Sequence, residues 1–475
     1  MPIFRQRDEE TTLIAGTPPI VSTVISSQPL ETAIRAYVDR DDRRGLRSFL
    51  ATHSAPDIAD VIDRLPEALG DHVFDMLQPP AAAAVLSEVG VAVANRILNR
   101  LTSDRAAILL GHLPADDVAD VIEDMKPGGG EALLSAMDPE AAADVRTLLR
   151  YPESSAGRLM TERFVRIPGD MTAGHVLDHL RAVDPDVETV SDLYVTDDAG
   201  TLLGVVSLRQ VLVSPPDRRV GEFMTTNVVS AAPTDDQEVV ARLVAHYNFM
   251  ALPIVDEGRI LGIVTVDDVL DVLVEEGTED QLKFGGVEPG VLDQPYFTTS
   301  IWRVVRSRVG WLLLLFVAET ATGSVLRHFE DELARVVALS FFIPLLIGTG
   351  GNTGAQTVST IIRGIAIREI RLRDTGRVLV REVASGALLG LLLGAVGFFR
   401  AEMWGTGVEL SIVVGLTLLA VVLWANTVGA LIPLVAHRFR VDPALVSAPL
   451  ITTLVDASGL VIYLLIAKAM LSALQ

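Results

Sequence analysis

Five apolar runs follow one another from Val309 to the carboxyl end of the chain, and each is long enough to cross a bilayer. A helix needs about 20 residues to span a hydrocarbon core of about 30 Å. We therefore predict five transmembrane helices at about residues 309–329, 333–362, 378–399, 408–437 and 444–472. Because a segment in lipid must satisfy its own backbone polar groups, this half of the chain is expected to be all α-helical.

The charge changes sign where the apolar runs begin. Residues 1–300 contain 24 Lys and Arg against 50 Asp and Glu, whereas residues 301–475 contain 15 against 11. An acidic soluble half repels nucleic acid and attracts metal cations, although acidity can also serve solubility alone. The chain contains no cysteine, which excludes disulfides, zinc thiolates and thiol catalysis.

The short loops predict the orientation of the helices. Basic residues cluster before the first run, in RGIAIREIRLRDTGRVLVRE after the second, and between the fourth and fifth; they include Arg303, Arg306, Arg308, His437, Arg438 and Arg440. The opposite loops, RHFEDE and FRAEMWGTGVE, contain few bases. Because Lys and Arg accumulate on the cytosolic side, and no signal peptide is evident, we predict a multi-pass protein of the cell (inner) membrane with a cytosolic amino terminus and the carboxyl end outside.

Asp456 is a carboxylate near the middle of the last apolar run, and no basic residue within a helical turn can neutralise it. A charge at this depth costs at least roughly 2.5–3.5 kcal/mol, so it usually faces water, a partner or an ion. The residue therefore predicts a cation pathway. The alternative is a carboxyl group that Thr452, Thr453 and Ser458 satisfy inside a packed bundle.

Other polar residues lie at membrane depth on three further runs. In the second run, glycines surround Asn352 and Thr353, which fits either a water-lined segment or close helix packing. The fourth run contains Asn426 and the first contains Glu319, and each fits either a pathway or a helix contact. The predicted pore-lining residues are Gly351, Asn352, Thr353, Asn426, Thr452, Thr453 and Glu319.

An internal repeat occupies residues of about 155–274. Its copies contain RFVRIPGDMTAGHVLDHLRA with LYVTDDAGTLLGVVSLRQVL, and NVVSAAPTDDQEVVARLVAH with LPIVDEGRILGIVTVDDVLDVL. Alternating β-branched runs, amphipathic patterns and turn residues predict strand, helix, strand, turn, strand, helix in each copy. The repeat resembles a pair of CBS domains, at about residues 155–215 and 220–274.

In CBS domains, Thr or Ser after a hydrophobic strand, followed three residues later by Asp, often meets the ribose of an adenine nucleotide. The resemblance therefore implies ATP binding at Thr265 and Asp268, with Phe249 available to stack on adenine. The first copy has Ser207 but Gln210, so only one intact site is expected. A purely structural CBS pair without nucleotide is the alternative.

Residues of about 30–150 predict a helical domain, because short amphipathic patterns are punctuated by Pro and Gly. IADVIDRLPEAL and VADVIEDMKPGG start 60 residues apart as degenerate copies, which is typical of a small α-solenoid. Residues 1–29 lack periodicity and are predicted to be disordered.

Acidic residues concentrate where the soluble parts are expected to meet. At helical spacing, Asp268, Asp271 and Glu275 share one face with Glu279, so their charges repel unless they are solvated or bridged by cations. Magnesium is the hard, oxygen-seeking cytosolic ion that fits such a set; a solvated acidic helix is the alternative. The candidate ligands here are Asp116, Asp117, Asp120, Asp236, Glu238, Asp268, Asp271, Glu275, Glu276, Glu279 and Asp280.

The order of these parts resembles the MgtE family of magnesium channels over about residues 30–475, and GGNTGAQ, VDPALVSAPL and TTLVDASGL carry the resemblance in combination. The expected fold is a multidomain membrane protein with a cytosolic α-helical solenoid, an α+β CBS-domain pair (151–274), a connecting helix (275–300) and a five-helix all-α transmembrane domain (301–475). The resemblance implies a homodimer in lipid with a central pore, in which Asp456 binds the permeating Mg²⁺ and Asp442 lies at the cytosolic mouth. It also implies that Mg²⁺ bound between the acidic surfaces closes the pore.

Two other functions remain open at this point: a nucleotide-sensing membrane receptor without transport, and a channel for a broader set of divalent cations such as Mn²⁺ and Co²⁺. Polar residues on several membrane helices argue against a passive receptor. An enzyme is disfavoured because no Walker loop, His-Glu metalloprotease spacing or nucleophile elbow is present. Glu319 and Asn248 depart from the family pattern, as a carboxylate in place of a neutral residue and an amide where an acid could serve as a ligand.

Overall fold

The computed structural model describes residues 28–123, 125, 128–183, 187–289, 299–439 and 441–474. Residues 1–27 of the predicted disordered tail (1–29) and residues 290–298 of the predicted connecting helix lie outside the described residues, whereas residues 28 and 29 are helical and not disordered as predicted. The chain divides into two compact units, one with residues up to 113 and residues 131–137, the other with residues 114–130 and 138–475.

The first unit is helical throughout its described residues, as predicted. Pro79 and Pro80 open one of its helices, where the missing N–H groups would have no intrahelical partner in any case. Leu, Ile, Val and Ala side chains at helical spacing form most of its core, and α3 packs against α4 and α5. Its helices are α1 (Gln28–Asp39), α2 (Arg43–Leu50), α3 (Ala55–Arg64), α4 (Glu67–Phe74), α5 (Pro79–Glu88), α6 (Val91–Arg100), α7 (Ser103–Leu110) and α9 (Gly129–Leu134).

The second unit opens with helices and the first CBS-like copy. Its three-stranded sheet has the order β1-β2-β3, with β1 parallel to β2 and β2 antiparallel to β3. Val, Ile and Leu side chains from the strands and helices of this copy form most of its hydrophobic core. The elements are α8 (Ala115–Glu123), α10 (Pro139–Leu148), α11 (Ala156–Leu159), β1 (Phe164–Pro168), α12 (Ala173–Ala182), β2 (Thr189–Thr196), β3 (Leu202–Ser207) and α13 (Leu208–Val213).

The second copy has the same order of elements with one difference. Its first predicted strand is reduced to a single bridge between Ala231 and Ile254, because Pro233 has no N–H with which to extend the ladder. The hairpin that follows turns at Glu257 and Gly258, both with positive φ, as a two-residue type I′ turn requires. The elements are α14 (Gln237–Tyr247), β4 (Ala251–Asp256), β5 (Arg259–Thr265) and α15 (Val266–Phe284).

Helix α15 extends across residue 275, where the connecting helix was predicted to start. Thr265 and Asp268 form a capping box at its start, and no proline interrupts the acidic run that follows. The helix is therefore continuous to Phe284, so residues 275–284 are the second half of the last helix of the CBS pair.

Five long helices follow, one for each predicted apolar run. Four of them are long and apolar enough to cross a membrane, within Ile301–His328, Leu372–Met403, Val408–Arg438 and Ala448–Met470. The remaining helix has 29 residues, but GTGGNTG makes its middle less apolar. A multi-pass membrane protein is thus confirmed. The helices are α16 (Ile301–His328), α18 (Ala338–Ala366), α19 (Thr375–Met403), α20 (Val408–Arg438) and α21 (Ala448–Met470), with the short α17 (Glu330–Arg335) after the first.

Glycines set the packing of the membrane helices. Helix α18 packs against α20 and α21, and α19 packs along α20. Four glycines of α19 face α20 at spacings of three or four residues: Gly386, Gly390, Gly394 and Gly397. At Gly394 an added Cβ would lie 2.6 Å from the carbonyl oxygen of Gly415, so the two backbones meet directly.

We predict that Gly394→Ala destabilises the protein by about 1–3 kcal/mol, because the methyl group would push α19 away from the backbone of α20. Gly323→Ala on α16 is the matched control, since nothing lies within 4 Å of its added Cβ. It should be neutral or stabilising by up to about 1 kcal/mol through helix propensity. Thermal unfolding in detergent measures both; equal melting temperatures for the two variants would contradict the packing described here.

Candidate functional site

Asp456 lies on α21 at the point where the glycine-rich part of α18 comes closest. An added Cβ at Gly351 would lie 3.2 Å from Asp456 Oδ1 and 3.3 Å from Thr452, so glycine permits this approach. Asp456 is half-buried, and its Oδ1 is buried without a hydrogen-bond partner among the described residues. A buried carboxylate oxygen without a partner is costly, and a cation or its water shell would relieve that cost.

The neighbouring hydroxyl groups do not satisfy Asp456. Thr452 and Thr453 donate to the carbonyl oxygen of Pro449, at 2.9 and 3.0 Å, and Ser458 donates to that of Leu454 at 2.7 Å. Each hydroxyl proton is thus used within α21 itself. The alternative of a carboxyl group hydrogen-bonded by these three residues is therefore not what the structure shows.

Asn426 was expected either to line a pathway or to form a contact between helices, and the structure shows a contact between helices. It is only 2% exposed. Its Oδ1 accepts from Thr357 at 3.1 Å, and its Nδ2 donates to the carbonyl oxygen of Glu382 at 3.2 Å and to Ser385 Oγ at 3.1 Å. The side chain thereby ties α18, α19 and α20 together, and none of its polar atoms is left for a pathway.

The other predicted pore-lining residues of α18 divide between two faces. Gly351 and Thr353 are buried, and Thr353 donates to the carbonyl oxygen of Thr349 at 2.8 Å. Asn352 is exposed, and Gln356 and Ser359 continue the same exposed face at helical spacing. Gln356 and Ser359 were not among the predicted residues, although their spacing of four and seven residues from Asn352 indicates that they share its face.

Glu319 brings a second carboxylate toward Asp456. It is exposed on α16, which packs against α21, and its charge acts electrostatically on Asp456. The two central carboxylates therefore belong to one region of the membrane half.

The carboxyl end of α15 is anchored to the membrane helices. Phe284 packs against a buried cluster that includes Val358 and Val455. Gly286 lies against the ring of Trp311 of α16, and Trp311 Nε1 donates to Ser447 Oγ at 3.1 Å. This end of α15 thus lies next to the helices that carry the glycine-rich segment and Asp456.

A cavity of about 670 Å³ lies at this junction and brings together three predicted metal ligands from separate parts of the chain: Glu238 of α14, Asp280 of α15 and Asp442 before α21. We call it the junction cavity. Burial raises the pKa of Asp280, and the charges of Asp442 and Glu238 raise it further. Basic residues also line it: Arg242, which pairs with Glu238, and Arg368, Arg371 and His437. Asp442 accepts from the N–H of Ala444 at 2.9 Å and from Lys283 Nζ at 2.9 Å.

A second acidic site joins α8 to α15. Asp116 is 8% exposed, and its Oδ1 is buried without a hydrogen-bond partner among the described residues. Burial, followed by the charges of Asp117 and Asp268, raises the pKa of Asp116 to about 8. Burial and the charges of Asp268 and Asp267 also raise the pKa of Glu188, a residue that sequence analysis did not select. Negative charge in this site therefore exceeds what the neighbouring protein groups compensate.

Asp120 differs from Asp116 because it already has a cationic partner. Arg158 is 2% exposed, and it donates to Asp120 at 3.2 Å and to Glu123 at 2.5 Å. Burial raises the pKa of Asp120 to about 6, although Arg158 opposes the shift. Arg158 was missed because the contact joins residues 38 apart in sequence.

The remaining acidic candidates have smaller roles in these two sites. Asp236 caps α14 by accepting from the N–H of Glu238 at 2.9 Å, and Glu276 accepts from Gln237 at 2.7 Å. Asp271 is largely exposed on α15, although partial burial of its carboxylate raises its pKa. The charge of Asp117 contributes to the raised pKa of Asp116, and the charge of Glu275 contributes to the raised pKa of Asp120. Among the described residues, no group of three or more His, Asp or Glu side chains could hold a metal ion by itself.

The cleft of the CBS pair contains a cavity of about 180 Å³ whose lining includes Phe249, Ser207, Gln210 and Asp192. Thr265 does not line this cavity, and its hydroxyl donates to Asp268 at 2.5 Å in the capping box of α15. The structure thus brings Phe249 together with the motif of the first copy rather than that of the second. Asn248, the other departure, ends α14 with positive φ, a conformation that Asn tolerates.

Comparison with known families and proteins gives a consistent result. A family profile for a divalent cation transporter (MgtE) matches residues 343–466, one for the MgtE intracellular N domain matches residues 53–154, and one for CBS domains matches residues 156–215 and 220–275. The magnesium transporter MgtE of Thermus thermophilus is 41% identical over 454 residues, which cover 94% of this chain and 99% of the relative. The magnesium transporter MgtE of Bacillus subtilis is 33% identical over 432 residues, 91% of this chain and 95% of the relative. A solved cytosolic domain of the Mg²⁺ channel MgtE in complex with ATP is 39% identical, with a TM-score of 0.49, and covers 51% of this chain and 99% of that domain.

The raised pKa of Asp116 predicts a pH dependence of stability. Because its pKa rises from 3.8 to about 8 on folding, the folded protein binds more protons than the unfolded chain between these values, and stability falls as the pH rises through them. In metal-free buffer, Asp116→Asn should remove this component, which is on the order of several kcal/mol at most.

The measurement is the melting temperature of the metal-free protein between about pH 5 and pH 8, over which the carboxyl group titrates. Asp198→Asn, an exposed acid in the first hairpin loop, serves as the control and should leave the slope unchanged. If Asp116→Asn and Asp198→Asn give the same slope, Asp116 is not protonated in the folded protein.

Proposed function

The chain belongs to the MgtE family of magnesium transporters, and from this premise we propose that it conducts Mg²⁺ into the cytosol past Asp456 and is closed by cytosolic Mg²⁺ bound at its acidic sites. One observation carries the proposal. A carboxylate oxygen without a partner, held against Gly351 inside a helix long and apolar enough to span the membrane, suits an ion and suits little else.

The chemistry of Mg²⁺ explains why a single carboxylate per chain suffices. Mg²⁺ sheds water reluctantly and usually keeps several waters of its octahedral shell. Asp456 would bind the hydrated ion through those waters, and its symmetry copy in a homodimer would supply a second carboxylate across a shared axis. Outer-sphere binding of this kind is weak enough to release the ion.

The rest of the path follows from the exposed polar groups of the membrane half. Asn352, Gln356 and Ser359 form an exposed polar face on α18, and such a face in a membrane helix calls for water or a partner. We place this face on the pore together with Thr452 and Thr453 of α21. Glu319 would add negative charge near Asp456 and raise the local concentration of cations.

Inward movement follows from charge and orientation. The arginine-rich segments lie at the same ends of the membrane helices as the CBS pair, which the positive-inside tendency assigns to the cytosol. An inside-negative potential favours entry of a divalent ion by about 4.6 kcal/mol per 100 mV.

Closure would use the junction cavity and the Asp116 site. At each site burial and neighbouring carboxylates raise the pKa of one acid, Asp280 or Asp116, so a bound cation would stabilise its ionised form. One site at ten times its dissociation constant biases a state by about 1.4 kcal/mol, so a nearly complete switch of about 5.5 kcal/mol needs about four sites acting together. Two sites per chain in a homodimer reach that number.

An adenine nucleotide such as ATP would modulate this response from the CBS cleft. The side chain of Phe249 offers a stacking surface there, and Ser207 with Gln210 offers hydroxyl and amide groups to a ribose. We therefore place the nucleotide in this cavity rather than at Thr265 and Asp268, whose side chains bond to each other.

Replacement of the central carboxylate tests the pore. Asp456→Asn should reduce Mg²⁺ uptake into vesicles at least about tenfold, because the amide keeps the shape but loses the charge that attracts the ion. Glu409→Gln, at the first turn of α20, is the control and should transport normally. Undiminished uptake by Asp456→Asn would remove Asp456 from the pathway, and equal uptake of Mn²⁺ and Mg²⁺ by the unaltered protein would favour the broader divalent channel.

Replacement of acids at the two cytosolic sites tests closure. The triple variant Asp116→Asn, Glu238→Gln, Asp280→Asn should raise the Mg²⁺ concentration that half-closes the channel at least about tenfold, since each lost site removes about 1.4 kcal/mol of bias. Single-channel recording over a range of cytosolic Mg²⁺ measures this. The control changes three exposed acids that line neither site, Glu67→Gln, Asp104→Asn and Asp198→Asn; a matching shift there would mean that net charge alone sets the response.

A further inference from the structure

Lys283 lies between two carboxylates at the membrane end of α15. Its Nζ is 2.6 Å from Glu279 Oε1, one turn earlier on the same helix, and 2.9 Å from Asp442 Oδ2, 159 residues further along the chain. The first contact is local, whereas the second joins α15 to the segment that precedes α21. One ammonium group therefore links the cytosolic part to the membrane part.

The surroundings of Lys283 are strongly acidic. Asp280 is one helical turn away, and its carboxylate interacts with Asp442, Glu238 and Glu279 as well as with Lys283. The lysine side chain is 21% exposed, so solvent screens these charges only in part. Burial lowers the pKa of Lys283, but its hydrogen bonds to Glu279 and Asp442 outweigh this and raise the pKa, so the ammonium is retained at all relevant pH values.

The position of the ammonium is that of a bridging cation. A lysine head is a compact point charge with three donors, of which two are used here, and it bridges two carboxylates as a small metal ion would. Unlike a free ion, the ammonium group is tethered to the helix and does not leave when the cytosolic Mg²⁺ concentration falls.

We propose that Lys283 is a built-in counter-ion that takes the place of one divalent cation between Glu279 and Asp442. It holds the end of α15 to the pore mouth without Mg²⁺, and it excludes Mg²⁺ from this pair of carboxylates by charge repulsion. The number of regulatory ions per chain is therefore one lower than the acidic residues alone would allow. The proposal deepens the regulation described above, but the ion count itself does not depend on transport or on closure.

Ion counting on the full-length protein in detergent tests the proposal. Mn²⁺ is used as the probe, because its free concentration is read directly from its electron paramagnetic resonance signal. Lys283→Met keeps the length and apolar stem of the side chain and removes the charge. It should bind one more Mn²⁺ per chain than the unaltered protein, with an affinity within about tenfold of the sites already present.

Three further variants give the result its meaning. Lys283→Arg retains the positive charge and should bind no additional ion. Lys283→Met with Asp442→Asn removes one of the two carboxylates and should lose the additional ion. Lys468→Met is the matched control, since Lys468 contacts the single carboxylate of Glu332 at 2.7 Å and its removal should create no new site. Lys283→Gln, measured as a fourth variant beside Lys283→Met, also removes the charge and should likewise bind one more ion than the unaltered protein.

The outcomes separate this proposal from the proposed function. Equal ion counts in the unaltered protein, Lys283→Met and Lys283→Gln would overturn the counter-ion role. An additional ion that persists in the Asp442→Asn background would also overturn it, because the new site would lie elsewhere. Failure of Mg²⁺ to close the unaltered channel would instead contradict the regulation proposed above and leave the ion count unaffected.

Discussion

Repulsion between carboxylates that the fold brings together with too few cations is the constraint on which the rest of the structure depends. It acts at Asp456 and at Asp116, each of which has a buried Oδ1 without a hydrogen-bond partner among the described residues, and at Asp280, whose pKa is raised by burial and by the charges of Asp442 and Glu238. Where the chain supplies its own cation, as Arg158 does for Asp120 and Lys283 does for Asp442, an ion pair compensates the carboxylate. Where it does not, the proposed regulation would bring cations from solution to these carboxylates, and the occupancy of the sites would then follow the concentration of those cations.

The membrane part supplies the complementary constraint of close backbone contact. Glycines on α18 and α19 remove side chains where α20 and α21 approach, and Asn426 fastens three of these helices with hydrogen bonds. This packing brings α18 against α21 at Asp456, and the neighbouring hydroxyl groups donate to backbone carbonyls of α21 rather than to the Asp456 carboxylate. In the proposed pathway, this packing leaves the Asp456 carboxylate available to an ion.

The sequence predicted the architecture well because its strongest signals are local. Apolar run length identified all five long helices, repetition identified the CBS pair, and the motif GGNTGAQ with TTLVDASGL indicated the family, which the curated relatives confirm. The curated relatives are transporters, so the prediction that the chain is not an enzyme is confirmed as well. The site was predicted less completely. Glu188, Arg158 and Lys283 were missed, since their partners are distant in sequence, and Asn426 could be assigned to a helix contact only when its three partners were known.

Helix α15 starts directly from the last strand of the CBS pair, where the capping box fixes its first turn, and ends against Trp311 and the pore helices. Its 19 residues correspond to a rod of about 28 Å. A tilt of only about 5° at the capped end would displace the far end by about 2.5 Å, which is comparable to the diameter of a water molecule. In the proposed closure the helix would act as a lever, since a tilt too small to disturb the core of the CBS pair would move its far end enough to obstruct or clear a narrow conduit.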